Sequence, residues 1–137
     1  MSETTEIVTN EIATSDFNIS ERYICTLDRT STEGKVAIAK ALNGSEPLKD
    51  HMNEVLHLAG VITTPGVRAQ SGANCTNNYL VLDDGTVLFS QSDGVTRSLK
   101  VISALWGGDL HDGKTVDVKC ISQNLTNGNT LKTIIPA

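Results

Sequence analysis

The chain has 137 residues, 39% of them apolar and 20% charged, a composition typical of one globular domain rather than of a disordered chain. The formal charge is −5. No apolar run approaches the ~18 residues of a membrane helix, and the N-terminus lacks the basic and apolar regions of a signal peptide. Composition therefore argues against membrane and secreted proteins, and we expect a soluble, intracellular one.

The negative charge is concentrated at the N-terminus. Residues 1–21 contain five acids and no base, so this segment accounts for the whole formal charge and the rest of the chain is neutral. Its apolar residues are isolated, among them Ile7, Val8 and Phe17. We predict that residues 1–20 form a flexible acidic arm and residues 21–137 the folded domain. The arm is expected to link protomers, and a free solubilising tail is the alternative.

The first part of the domain is predicted to contain one strand and one helix. Residues 22–27, RYICTL, form a short apolar run typical of a strand. Thr30 followed three residues later by Glu33 is a capping-box pattern, which predicts a helix over residues 33–43 that Gly44 ends.

Strands dominate from residue 54 onward. Residues 54–64 form a long strand that is apolar on both faces, with a glycine in its middle that permits a bend. A loop of 14 residues, 64–77, is predicted to follow, and then two strands joined by a turn at Asp84-Gly85.

The remaining elements are a helix and a second hairpin. Ser92 or Asp93 is predicted to cap a helix over residues 94–107. Its apolar residues recur at helical spacing and predict one broad buried face: Val95, Leu99, Val101, Ile102, Leu105 and Trp106. An alternating strand over residues 114–123 and a turn at Asn127-Gly128 predict the closing hairpin.

From residue 54 the predicted order is therefore strand, strand, strand, helix, strand, strand. This order predicts a mainly β fold: a five-stranded OB-type barrel with a helix between the third and fourth barrel strands, plus the N-terminal strand and helix. An α+β sheet is the alternative.

Residues 108–115, GDLHDGKT, match the pattern of a phosphate-binding P-loop. A P-loop requires a strand before it and a helix after it, so that helix N–H groups face the phosphates. Here the predicted elements stand in the reverse order, so we interpret the segment as a helix-to-strand turn. No other catalytic pattern is present, and we expect a protein that is not an enzyme and uses no cofactor.

The cysteines and histidines do not predict a metal site. Cys25, Cys75 and Cys120 lie far apart and form no CxxC pair, which predicts free thiols that pack as small core residues. The three histidines are not at paired ligand spacing either.

A possible ligand-binding surface follows from the predicted barrel. OB barrels receive oligonucleotides on the face of the second and third strands and between two loops. Aromatic rings in such a face stack on bases, and basic side chains contact phosphates. The candidate residues are Arg68, Tyr79, Phe89, Gln91, Arg97, Lys100 and Lys119. The alternative for Tyr79 and Phe89 is that their rings point into the protein core.

Five segments resemble the small single-stranded DNA-binding proteins encoded by phages and conjugative plasmids of Gram-positive bacteria: RYICTLDRTSTEG, EVLHLAGVITTPGV, CTNNYLVLDDG, LFSQSDGVTRSL and NGNTLKTI. The resemblance covers most of residues 22–135. It implies an OB fold, binding of single-stranded DNA with little sequence preference, and work in replication or transfer in the bacterial cytoplasm. This chain lacks the acidic C-terminal tail with which bacterial single-strand binders usually recruit partners.

The acidic balance and the few aromatic residues leave a second function open. In that alternative, the protein is an accessory or inhibitor protein that binds another protein through a barrel edge and the N-terminal arm.

Overall fold

The computed structural model describes residues 24–126, 128 and 130–137. The predicted arm, residues 1–20, lies outside this part of the chain, as do Asn127 and Asn129. The described helices are α1 (Thr32–Asn43) and α2 (Asp93–His111), with a 3-10 turn at Leu48–His51. The strands are β1 (Glu46–Pro47), β2 (Val55–Val67), β3 (Asn74–Leu82), β4 (Val87–Ser90), β5 (Val116–Asn124) and β6 (Thr130–Pro136).

Within the described residues the strands form one six-stranded sheet in the order β1-β4-β3-β2-β5-β6. The predicted order from β2 to β6, with the helix between β4 and β5, is confirmed. The sheet contains one strand more than predicted, because Glu46 and Pro47 add in parallel to Leu88 and Phe89 of β4. The fold is thus mainly β, with one sheet curled around α2.

The predicted bend in β2 is confirmed. Val55–Leu58 pair with β5, and the strand then pairs with β3 as far as Val67. The register shifts between Leu58 and Gly60, where the strand changes partner. A Cβ at Gly60 would lie 2.8 Å from Leu27 Cδ2, so the position also lacks room for a side chain. This bend allows one strand to belong to both halves of the sheet.

Helix α2 packs into the curled sheet and forms the main core. Val95 and Leu99 are fully buried, and Ile102 is 2% exposed, as their spacing predicts. The predicted burial of Val101 and Leu105 is wrong, since they are 56% and 67% exposed. The half-barrel covers only the stripe of α2 that faces its concave side, so these two side chains stay outside.

The flank of α2 contacts β6 without an intervening side chain. A Cβ at Gly94 would lie 2.0 Å from the Lys132 carbonyl oxygen. One turn later, Ser98 Oγ accepts a hydrogen bond from the Ile134 N–H (3.1 Å) and donates one to the Gly94 carbonyl (2.8 Å). The helix thereby satisfies a backbone donor of β6 that no neighbouring strand reaches in the described sheet.

A second, smaller core lies on the outer face of the sheet. Ile38 and Ala41 of α1 pack there against Ile62, Tyr79 and Val87. The predicted strand over residues 22–27 is present, in its described part, as a single antiparallel bridge between Cys25 and Ile62. Helix α1 therefore covers part of the β3–β4 surface that was predicted from the sequence to bind a ligand.

The N-terminus of α1 differs from the prediction. Ser31, not Thr30, is the N-cap, and its Oγ accepts the Gly34 N–H at 3.0 Å. The Thr30 N–H and hydroxyl instead donate to Asp28 Oδ1 (2.8 and 2.6 Å), in the turn before the helix. Thr30 is thus hydrogen-bonded to Asp28, and Ser31 supplies the acceptor for a free N–H in the first turn of the helix.

Two loop predictions have different outcomes. The prediction of a 14-residue loop is wrong. Strand β2 continues to Val67 and β3 begins at Asn74, so the loop consists of residues 68–73. Pro65 lies where β2 pairs with β3 alone among the described strands, an edge position that proline tolerates. The hairpin turn at Asp84-Gly85 is confirmed, and Gly85 has φ 89°.

The reversed order around the P-loop pattern is confirmed. Helix α2 continues to His111, and β5 begins at Val116 after a short turn. Lys114 Nζ lies 3.7 Å from Asp109 Oδ1, in a surface ion pair between two residues of the pattern. Strand β5 follows the pattern where a P-loop would need a helix to direct N–H groups at a phosphate, so residues 108–115 are a helix-to-strand turn.

Candidate functional site

The two candidate aromatic residues of the β3–β4 hairpin are neighbours on the outer face of the sheet. Tyr79 pairs with Phe89 across the strands, and their ring centroids are 5.2 Å apart at an interplanar angle of 56°. Tyr79 is only 9% exposed, because α1 packs over it. Its ring therefore belongs to the core, which corrects the expectation that it faces a ligand. Phe89 is half-buried and borders a groove on its other side.

This groove, called the basic groove below, has a volume of about 490 Å³. It lies between the end of β4, the 3-10 turn, the loop after β2 and the start of β6. Three bases and one acid line it, a formal charge of +2, together with Phe89 and uncharged polar residues. The lining side chains that carry the argument below are Lys49, Arg68, Phe89, Gln91, Asp93 and Lys132.

Arg68 is held at the mouth of the basic groove by its backbone and by one ion pair. Its N–H donates to the Ala73 carbonyl at 2.9 Å, which closes the six-residue loop. Its Nη2 lies 3.1 Å from Asp93 Oδ1, and the two side chains are 38% and 74% exposed. Such an exposed pair contributes little stability, so the guanidinium can change partners at small cost.

Gln91 is fixed on the wall of the basic groove. Its Nε2 donates to Asn77 Oδ1 at 2.9 Å and to the Val67 carbonyl at 3.3 Å. These bonds join Gln91, which directly follows β4, to the end of β2 and to Asn77 within β3. The Gln91 amide thus fixes the shape of this wall of the basic groove.

The remaining candidates lie elsewhere. Arg97 lines a different groove, between α2 and β6, and Lys100 is exposed on the same helix. Lys119 lies on β5 between Val55 and Ile135. The structure therefore brings Arg68, Phe89 and Gln91 together and leaves these three bases apart from them.

Two bases of the groove were missed at the level of sequence. Lys132 could have been found, because it is a lone base within an alternating strand that follows a turn. Lys49 carries no such signal. Its position depends on β1 and on the 3-10 turn. Because β1 has only two residues, it has no sequence pattern from which it could be predicted.

Acidic side chains collect in another part of the surface. His51 lies between Glu54 Oε1 (3.2 Å) and Glu46 Oε1 (3.1 Å), and these hydrogen bonds raise the pKa of the imidazole. His57 Nδ1 lies 2.6 Å from Asp117 Oδ1, which raises its pKa in the same way. His51, Glu54 and His57 line one depression of the surface, and Asp83 and Asp84 line it as well. Charge is therefore separated, with the basic groove on one part of the surface and these carboxylates on another.

Neither thiols nor metal ligands form a reactive cluster in the described chain. All three cysteines are free, and burial raises the pKa of the Cys25 and Cys120 thiols, which disfavours the reactive thiolate. Among the described residues, no three His, Cys, Asp or Glu side chains are grouped closely enough to hold a metal ion.

Comparison with known proteins gives no match. No protein-family model matches the chain, and neither a curated protein nor a solved structure is significantly similar to it. In the described residues neither helix combines the length and the apolar character needed to cross a membrane.

Proposed function

We propose that the protein is a non-catalytic binder of single-stranded DNA, and that the DNA lies in the basic groove. The observation that carries the proposal is the grouping of Lys49, Arg68 and Lys132 with Phe89 in the lining of one groove. Single-strand binders combine these two features, bases that follow the backbone and an aromatic ring on which a base stacks.

Phe89 supplies the stacking surface in this proposal. The buried Tyr79 ring packs against it and fixes its orientation, so a base meets a ring that is already in place. Stacking of this kind contributes about 1–3 kcal/mol per base and does not depend on sequence, because every base has an aromatic face. We therefore expect little sequence preference.

The position of the basic groove supports an OB-type interpretation of the fold. The groove lies between the loop that follows β2 and the strand that follows the β5–β6 turn. OB barrels bind oligonucleotides between the corresponding loops, next to the second and third barrel strands. The sharing of β2 between both halves of the sheet also fits this fold.

The separation of charge on the surface determines from which side the DNA strand approaches the protein. The groove carries +2, whereas the depression near His51 and His57 is bordered by the carboxylates of Glu54, Asp83 and Asp84. Phosphates are attracted to the first surface and repelled by the second, so the DNA approaches from one side. From the resemblance, we further propose a cytoplasmic role in the replication or transfer of phage or plasmid DNA.

Fluorescence anisotropy with a labelled oligo-dT tests the site. Phe89→Leu keeps an apolar side chain but removes the aromatic ring, and we expect it to weaken binding by about 1–3 kcal/mol, or roughly 5- to 150-fold. Lys132→Ala should weaken binding as well, and Lys114→Ala, outside the groove, is the matched control for loss of one base. Equal effects of Lys132→Ala and Lys114→Ala would show that the groove is not the binding site.

A further inference from the structure

A second groove lies between α2 and β6 and has a different character from the basic groove. Its volume is about 380 Å³, and its lining is almost entirely apolar. Val101 and Leu105 are exposed at its rim, and Trp106, Leu131 and Pro136 also line it. Contiguous exposed apolar surface of this kind marks an interaction site. We call it the apolar groove.

The charged side chain that lines the apolar groove is positive. Arg97 is its only charged lining residue within the described chain. Residues 94–108 of α2 contain Arg97 and Lys100 and no acid. A segment that suits this groove therefore has apolar side chains for the groove and acidic side chains for its rim.

The N-terminal part of this chain has that composition. Residues 1–21 contain five acids and no base, and Phe17 and Ile19 stand near its end. Near its start, the described chain contacts the last turn of α2, where the Thr26 carbonyl lies 3.4 Å from His111 Nδ1. Leu105 precedes His111 by six residues, about 9 Å along the helix.

The connecting length is sufficient for one chain to reach its own groove. Phe17 precedes Ile24 by seven residues, which extend to about 23 Å. The path from Ile24 runs through two residues to Thr26, about 7 Å, across the Thr26–His111 contact and then about 9 Å along α2 to Leu105, which this length can span. Intramolecular docking also has the advantage of a high effective concentration over docking on a second copy.

We propose that the apolar groove is the docking site of the chain's own N-terminal segment. Phe17 and Ile19 fill the groove, and Glu11 and Asp16 face Arg97 and Lys100. The proposal is independent of DNA binding at the basic groove. It differs from the sequence-based expectation that the arm links protomers, because the segment stays on its own domain.

Trp106 provides the first test, because it lines the groove and is the only tryptophan of the chain. In the full-length protein, the double substitution Phe17→Ser and Ile19→Ser should shift Trp106 emission to longer wavelength and reduce its protection from acrylamide quenching. The matched control is Ile7→Ser with Val8→Ser, which removes two apolar side chains elsewhere in the segment. Identical spectra for the wild type and the Phe17/Ile19 variant would overturn the proposal.

A photo-crosslinker at position 17 identifies the occupant directly. Phe17→p-benzoylphenylalanine in the full-length protein should crosslink to the α2 segment around Val101–Trp106, within a species of monomer mass. Crosslinks to the same segment that appear only at dimer mass would assign the groove to a second copy, and crosslinks to other parts of the domain would exclude docking there. Either result overturns docking within one chain.

Discussion

The contact between α2 and β6 predicts opposite effects for two glycine substitutions in one helix. A Cβ at Gly94 would lie 2.0 Å from the Lys132 carbonyl and 2.8 Å from the Leu131 side chain. At Gly107, apart from the neighbouring residues of the helix itself, no atom of the described residues lies within 4 Å of the corresponding position. Gly94→Ala should therefore push α2 and β6 apart, whereas Gly107→Ala should only improve helix propensity.

The magnitudes follow from two terms. Alanine gains at most about 1 kcal/mol over glycine within a helix. Overpacking costs about 1–3 kcal/mol, and the upper end applies at Gly94 because the obstacle is backbone. We expect Gly94→Ala to lower the free energy of unfolding by about 2 kcal/mol and Gly107→Ala to raise it by up to about 1 kcal/mol.

Urea unfolding measures both variants. If the m-value is unchanged, the midpoint reports the difference in stability directly. Because Gly94 contacts Lys132, Gly94→Ala should also weaken oligo-dT binding, whereas Gly107→Ala should not. Equal stabilisation by the two alanines would refute the close packing of α2 on β6.

Three further predictions concern single side chains. Tyr79→Ala should lower the free energy of unfolding by about 3–5 kcal/mol, because the ring is in the core. Tyr79→Phe keeps the ring and should fold, and its oligo-dT affinity should be nearly that of the wild type, because the Tyr79 hydroxyl does not contact DNA. Asp93→Asn should tighten binding several-fold and to a larger extent at low salt, because the variant frees Arg68 and removes an acid from the groove; unchanged affinity would contradict this role. Hydrogen bonds from Thr30 lower the pKa of Asp28 to about 2. NMR titration should show that value, and Thr30→Val should raise it; since the folded pKa is depressed, the stabilisation from Asp28 is present above about pH 4 and is lost as the pH falls through about 2.

Elements with strong local signals could be predicted from sequence. Helical spacing identified Val95, Leu99 and Ile102 as buried, and the strand patterns around the Asp84-Gly85 and Asn127-Gly128 turn signals identified the two hairpins. Gly60 predicted the bend in β2 because a bend and a close contact both require the absence of a side chain. These features depend on residues close together in the chain, which is why periodicity detects them.

The predictions that were wrong concern features that depend on tertiary contacts. The burial of Tyr79 requires α1 to fold back over the sheet, and the exposure of Leu105 depends on how far the half-barrel encloses α2. Pro65 and Gly66 suggested a loop, but pairing with β3 overrides that local preference. In each case the deciding partner is distant in sequence.

The candidate site was predicted in part for the same reason. Arg68, Phe89 and Gln91 could be predicted because they lie at the ends of β2 and β4, which the strand patterns identified. Lys49 enters the groove only because Glu46 and Pro47 add to the edge of β4. A strand of two residues leaves no periodic pattern, so sequence alone could not indicate this contribution.

The salt dependence of oligo-dT binding by the wild-type protein tests the central proposal most directly. Three groove bases that each contact one phosphate should give a slope of log K against log salt of about −2 for single-stranded DNA. We predict binding at micromolar protein or below in low salt, with that slope and with similar affinity for oligo-dT and mixed sequences. Absence of binding at micromolar protein in low salt, or binding that does not respond to salt, would contradict single-stranded DNA binding in the basic groove.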